Sequence, residues 1–250
     1  MSLFLEKAAE NAIFLAEFLG IVLAIFLLAY LVERKVAKER GIDGKLLTTK
    51  KLSMIGLFSA LSVILMFFEI PLPFAPPFYK IDFSEVPVLI VTFAFGPVAG
   101  VLTEFCKILL KLVFKSTSTA FVGELANFII GCSMILPASF VYLYRKSKGF
   151  AISGCVLGTI CMSVFGTMFN AVYLIPKFAQ LYGMPLESII AMGTAVNPAI
   201  NSLYSLVLLA VFPFNIVKGV SVSVFTLILY KKLSLILRAE PGRPAPVKIK

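Results

Sequence analysis

The side chains that could do chemistry in this chain are few, and their types favour recognition over bond-making. Asn215 and Lys218 are spaced i,i+3, which puts an amide and an ammonium on one helix face. Asn127 and Asn170 add two further amides, and Asp82, Lys111 and Glu124 add three charges, each inside or beside an apolar run. An amide offers one acceptor and two donors. That set suits a heterocycle with an imide edge better than it suits an ion. Asp82 and Glu124 balance Lys111 and Lys218, which fits a neutral or weakly charged ligand.

Provision for catalysis is poor. The chain has no histidine, which removes imidazole acid–base chemistry, Ser-His-Asp triads and most zinc sites. No nucleophile–base pair or carboxylate dyad stands out, and no G-x-x-x-x-G-K-[ST] is present, so an ATPase is excluded. Cys106, Cys132, Cys155 and Cys161 lack a C-x-x-C spacing and sit in apolar runs, so they read as small core residues. The expectation is a protein that is not an enzyme and holds neither metal nor cofactor.

These groups must be positioned by membrane helices. Of 250 residues, 60% are apolar and 14% charged, against about 45–50% and about 25% in soluble domains. The mean hydropathy is +0.99. A spanning helix needs roughly 20 mostly apolar residues. The runs 12–32, 52–70, 84–95, 98–114, 121–144, 150–175 and 214–230 are read as seven spans, an all-α integral membrane fold. The first lacks a basic leader and a small-residue cleavage site, so it is expected to stay in the mature chain.

Four prolines in 71–77 cannot continue a helix and imply an ordered loop. Asp82 and Ser84 are expected to cap the third span, Gly96-Pro97 to turn the chain into the fourth, and Pro176 to stop the sixth. Segment 177–212 is expected to be external, with one helix lying on or dipping into the bundle. The resulting organisation is an additional N-terminal span (1–32), a basic cytoplasmic linker (33–51), a membrane domain (52–230) and a basic, disordered cytoplasmic tail (231–250).

Seven spans divide the 23 basic residues unevenly: 33–51, 145–149 and 231–250 hold sixteen, the opposite segments four, and the spans themselves three. By the positive-inside rule the N-terminus is outside and the C-terminus cytoplasmic. The net charge of +10 is therefore topology in a lipid bilayer, not a nucleic-acid footprint. With that orientation, Asp82, Lys111, Glu124, Asn127, Asn170, Asn215 and Lys218 all fall in the outer half. They lie next to a Pro-rich loop carrying Phe74, Phe78, Tyr79 and Phe83, as a lidded small-molecule pocket would have them. Blander roles stay open. An intramembrane Asn can serve only as interhelical glue, Lys218 can snorkel, Glu124 can answer the helix dipole, and the Ser/Thr run 116–119 can be a plain connector. Glu104 and Lys107, at i,i+3, read as a structural ion pair. Glu17 is given no role.

Four segments together resemble one family. They are Phe78-Tyr79-Lys80-Ile81-Asp82-Phe83-Ser84-Glu85-Val86-Pro87, Phe95-Gly96-Pro97-Val98-Ala99-Gly100, Gly123-Glu124-Leu125-Ala126-Asn127-Phe128 and Pro213-Phe214-Asn215-Ile216-Val217-Lys218-Gly219. In this order they are similar to the riboflavin-specific substrate-binding S components of energy-coupling factor (ECF) vitamin transporters, over about residues 50–232. The resemblance implies a six-helix S-component core, preceded here by one additional helix. It implies a riboflavin site read by Asn215, Lys218 and Asn170, and gated by loop 72–83. It also implies assembly with a transmembrane T subunit and two cytosolic ATPases, met through a small-residue face best matched by Gly56 and Ala60. Gly56 departs from the family's alanine there. An S component for another vitamin or base, or a membrane interaction protein without transport activity, are the competing readings.

Overall fold

The computed structural model describes residues 12–41, 46–117 and 119–238. The apolar runs fold as helices, because a helix satisfies its own backbone where water is absent. In chain order they are α1 (Ala12–Glu39), α2 (Thr49–Met66), α3 (Glu85–Phe95), α4 (Pro97–Phe114), α5 (Val122–Tyr144), α6 (Lys148–Phe169), α7 (Ile175–Leu181), α8 (Leu186–Thr194), α9 (Leu203–Leu206) and α10 (Phe212–Arg238). Between α2 and α3 the chain makes a short antiparallel pairing of β1 (Ile70–Pro71) with β2 (Lys80–Ile81). This closes the base of the Pro-rich loop, helped by the Lys80–Glu69 ion pair at 2.9 Å.

Five stretches are long and apolar enough to cross a membrane: Ala16–Glu39, Thr49–Met66, Val122–Tyr144, Lys148–Leu181 and Leu203–Leu233. The all-α membrane class expected from composition is therefore observed, while the count of seven spans is met in five places among the described residues. α3 has 11 residues, about 16 Å of the roughly 30 Å hydrocarbon core. α4 has the length but carries Glu104, Lys107 and Lys111.

Pro176, expected to end a helix, does not, and Pro213, expected to precede the last one, lies within it. α6 runs into a π-helical turn, Asn170–Leu174, and on through Pro176 as α7. α9 runs into a second, Val207–Val211, and on through Pro213 as α10. A proline inside an α-helix lacks an N–H and collides with the carbonyl four residues back. Here the preceding N–H reaches five residues back instead, from Ile175 to the Asn170 carbonyl and from Phe212 to the Val207 carbonyl. That widening accommodates the ring. Segment 177–212 is consequently not mainly a loop. Its last part is the beginning of the final helix, and α8 is its one separate helix.

Three further expectations change. Ser84 makes no capping hydrogen bond; Asp82 Oδ1 instead accepts from the Ser84 N–H at 2.8 Å. The basic linker is helical to Glu39 and again from Thr49, and α10 extends helix to Arg238 into the expected tail. Positions 42–45, 118 and 239–250 lie outside the described residues. All four cysteines are free, as expected, but only Cys132 and Cys155 are buried in the core; Cys106 and Cys161 are half-buried.

The additional helix α1 is tied to the bundle at one end. Glu33 is buried; its Oε2 accepts the Val98 N–H at 2.9 Å, at the start of α4, and its Oε1 lies 3.5 Å from Lys51 Nζ. Further along α1, Phe18 meets the Phe128 ring of α5 with centroids 6.1 Å apart.

α5 and α6 approach closely along a small-residue face. A Cβ on Gly154 would lie 2.6 Å from the Ala138 carbonyl oxygen, and one on Gly158 2.5 Å from that of Met134. Spaced i,i+4, these glycines let the two backbones touch. Gly158→Val is expected to cost about 1–3 kcal/mol by forcing the helices apart. This is read as a lower thermal unfolding midpoint in detergent, and an unchanged midpoint would contradict the packing.

Candidate functional site

At one end of the bundle the helices enclose a cavity of about 590 Å³, within the range of small-molecule sites. Its polar lining includes Tyr79 and Asp82 from the loop, Glu85 from α3, Lys111 from α4, Glu124 and Asn127 from α5, Asn170 from the first π turn, and Asn215 and Lys218 from α10. Eight of the nine expected substrate-binding residues thus line one space. Phe83 does not. It packs edge-on against Phe225, ring centroids 5.0 Å apart.

Both π turns bear on the site. Asn170 begins the first, and Asn215 follows the second by four residues. A residue added to one turn of a helix re-aims the side chains beyond it, and such turns recur at functional positions. The Asn170 amide is held on both sides: its Nδ2 donates to the Gly166 carbonyl at 2.7 Å, and its Oδ1 accepts from the Tyr79 hydroxyl at 2.7 Å. Tyr79 also packs on Phe78 and Phe214. Burial of its hydroxyl end pushes the phenol up, so it remains a donor. The Pro-rich loop is thereby latched to Asn170 by one hydrogen bond.

Asn215 differs. It is buried, and its Nδ2 has no hydrogen-bond partner among the described residues. A Cβ on Gly166 would lie 2.8 Å from that nitrogen, so the glycine provides its room. An unmatched buried donor in a polar cavity is a demand for an acceptor.

Lys218 sits between two carboxylates, 3.1 Å from Asp82 Oδ2 and 3.2 Å from Glu85 Oε2. Burial opposes ionisation of Asp82, but Lys218 and Lys107 outweigh it and hold its carboxyl below the usual carboxylate range. Lys111 pairs with Glu124, whose other oxygen accepts from the Thr117 and Thr119 hydroxyls at 3.0 and 3.1 Å. The Ser/Thr run is thus a connector pinned to the start of α5; Ser118 is outside the described residues. Asn127 donates to the Gly123 carbonyl at 3.0 Å while lining the cavity. Glu104 and Lys107 form the expected ion pair at 2.6 Å, both fully buried.

Sequence reasoning passed over two contributions. Glu85 joins Lys107 to Lys218. Its place three residues after Asp82, on the first turn of a helix buried all round, was the available signal. Phe178 and Tyr182 line the cavity from α7 and just beyond it, hidden by the assumption that Pro176 ends the helix. Gly56 and Ala60 lie on the exposed face of α2, away from the cavity, with open space around Gly56.

The family model of the substrate-specific component of ECF transporters matches residues 50–230. The chain is 33% identical over 189 residues to the riboflavin transporter RibU of Staphylococcus aureus (strain TCH60), covering 76% of this chain and 93% of that protein. It is 33% identical over 186 residues to the riboflavin transporter FmnP of Bacillus subtilis (strain 168), covering 74% and 92%. A solved S component of a bacterial ECF transporter is similar in structure, with a TM-score of 0.59 and 35% identity over 76% of this chain and 98% of that one. α1 precedes the matched region. From residue 50 onward, sequence pattern, helix arrangement and a ligand-sized polar cavity agree, and the chain belongs to the substrate-specific components of ECF transporters.

Proposed function

We propose that this chain captures riboflavin from outside the cell and presents it for ATP-driven uptake by partner subunits, catalysing no bond chemistry itself. The observation that supports this reading is that Asn215, whose Nδ2 has no hydrogen-bond partner among the described residues, lines the same cavity as the latched Asn170 amide. Together they offer the donor–acceptor alternation that an imide edge requires. The apolar and aromatic lining, including Phe178 and Phe214, suits a fused ring. The names of the relatives favour riboflavin among heterocycles. An S component for another vitamin or base is the second reading, but a cationic ligand would face Lys218.

In this proposal the chain crosses the membrane seven times, with the N-terminus outside and the C-terminus cytoplasmic. Glu85–Phe95 and Pro97–Phe114 count as crossings whose charged groups face the bundle interior. The exposed Gly56/Ala60 face of α2 receives a T subunit, which couples the chain to two cytosolic ATPases.

Mass spectrometry of the small molecule that co-purifies with the protein from riboflavin-supplied cells tests the ligand. Riboflavin is the expected species; a different vitamin at stoichiometric level would replace it.

A further inference from the structure

Behind the cavity the structure holds a row of five buried charges from four elements. Lys218 on α10 bridges Asp82 of the loop and Glu85 of α3, at 3.1 and 3.2 Å. Lys107 on α4 bridges Glu85 and Glu104, at 3.4 and 2.6 Å. The order along the row is Asp82, Lys218, Glu85, Lys107, Glu104, three carboxylates against two ammoniums. Fully ionised, the row carries one uncompensated negative charge in the membrane domain. Glu104, Lys107 and Glu85 are buried to within 3% of complete enclosure.

An unbalanced charge in such a place is expensive, and a titratable group answers by neutralising itself. The three carboxylates are not equally placed to do so. Asp82 has Lys218 and the Ser84 N–H. Glu85 has both lysines and the Ser84 hydroxyl. Glu104 has Lys107 alone, 2.6 Å from its Oε1; its buried Oε2 has no hydrogen-bond partner among the described residues. The other titratable groups that bear on it are Glu85 from α3, Lys218 from α10 and the Cys132 thiol from α5. α5 presses its Gly131 against the carboxyl, where a Cβ would lie 2.5 Å from Oε1. The row has one open end, where Asp82, Lys218 and Glu85 line the cavity, and one closed end, Lys107 and Glu104.

We propose that Glu104 is a proton-binding site coupled to ligand capture, so that filling the cavity draws a proton onto this carboxyl. Cavity water screens the open end of the row while the site is empty. A ligand replaces that water, the effective dielectric falls, and the excess charge becomes costlier. Protonating Glu104 makes the row neutral. Coupling is reciprocal: a ligand that favours the protonated form binds more tightly as the pH falls. The inference rests on the reading of the cavity as a flavin site, and it concerns a group that does not line that cavity.

The experiment is calorimetric titration of riboflavin into the detergent-solubilised full chain, in two buffers of different ionisation enthalpy at each pH from 5.5 to 8.5. The expected result is net uptake of up to one proton in part of that range. Affinity should fall with rising pH there, by up to about tenfold per pH unit. Glu104→Gln, which fixes the neutral form at nearly the same volume, is expected to bind at the wild type's low-pH affinity throughout, with no proton uptake. Wild-type binding with zero uptake at every pH overturns the inference and leaves the flavin site standing. Undiminished uptake in Glu104→Gln also overturns it, by placing the proton elsewhere. Absence of riboflavin binding by a folded wild-type protein overturns the flavin reading and this inference together.

Discussion

Lys218→Met is expected to lower riboflavin affinity at least a hundredfold and to destabilise the protein as well. The ammonium is one of two cations holding three buried carboxylates. Removing it leaves Asp82 with no cation in contact among the described residues and Glu85 with Lys107 alone. Breaking a buried pair from one side costs about 3–5 kcal/mol, so the unfolding midpoint should drop clearly. The two losses are separable. Adding Asp82→Asn removes the stranded carboxylate and should restore much of the midpoint without restoring binding, since the ammonium is still missing. Recovery of binding in the double variant would show that Lys218 serves only to neutralise Asp82. The measurements are a thermal unfolding curve and a riboflavin fluorescence titration on each variant.

Asn215→Ala is expected to do the opposite to stability. Its Nδ2 has no partner among the described residues, so truncation removes a buried unsatisfied donor and should leave the unfolding midpoint unchanged or raised. Affinity should still fall at least tenfold, because a ligand acceptor would be desolvated against nothing. A variant with normal affinity would remove Asn215 from the site. Loss of stability parallel to loss of binding would mean that the amide is interhelical glue. The contrast matters because Asn170 already has two protein partners, and a similar truncation there would mix both effects.

The polar residues of the site were legible in the sequence because the membrane makes them conspicuous. An Asn, Lys or Asp in an apolar run needs a reason, and orientation from the basic segments placed them at one depth. Their partners were much less legible. Glu85 reads as an ordinary acidic first-turn residue until the loop brings Asp82 and the final helix brings Lys218 beside it. Glu33 caps α4 across 65 positions, a separation that no local pattern encodes. Pro176 was misread, and the helix running through Pro213 missed, because the rule that proline ends a helix assumes α-helical hydrogen bonding. A π turn immediately before each proline removes the collision and carries the helix on. The two-residue pairing of β1 with β2 is too short for any alternation to announce. Phe83 was placed in the site by its neighbourhood in the motif, yet its ring points to Phe225, one residue from an Asp82 that faces the cavity.

The additional helix and the bundle meet through Glu33, Val98 and Lys51. Gly96 is the residue that permits this contact, since a Cβ there would fall 2.6 Å from the Glu33 carboxyl atoms. Its φ of +105° is also a conformation that glycine adopts and other residues resist. The turn between α3 and α4 thus satisfies two constraints with one residue type.

The central claim is that the cavity between the loop, α5, the first π turn and α10 is a riboflavin site. The most direct measurement is a fluorescence titration of riboflavin with the purified, flavin-free full chain. Quenching that saturates at one riboflavin per chain, and that is lost in Asn215→Ala at the same protein concentration, is the predicted result. No quenching by a folded protein, or quenching unaffected by Asn215→Ala, would contradict it.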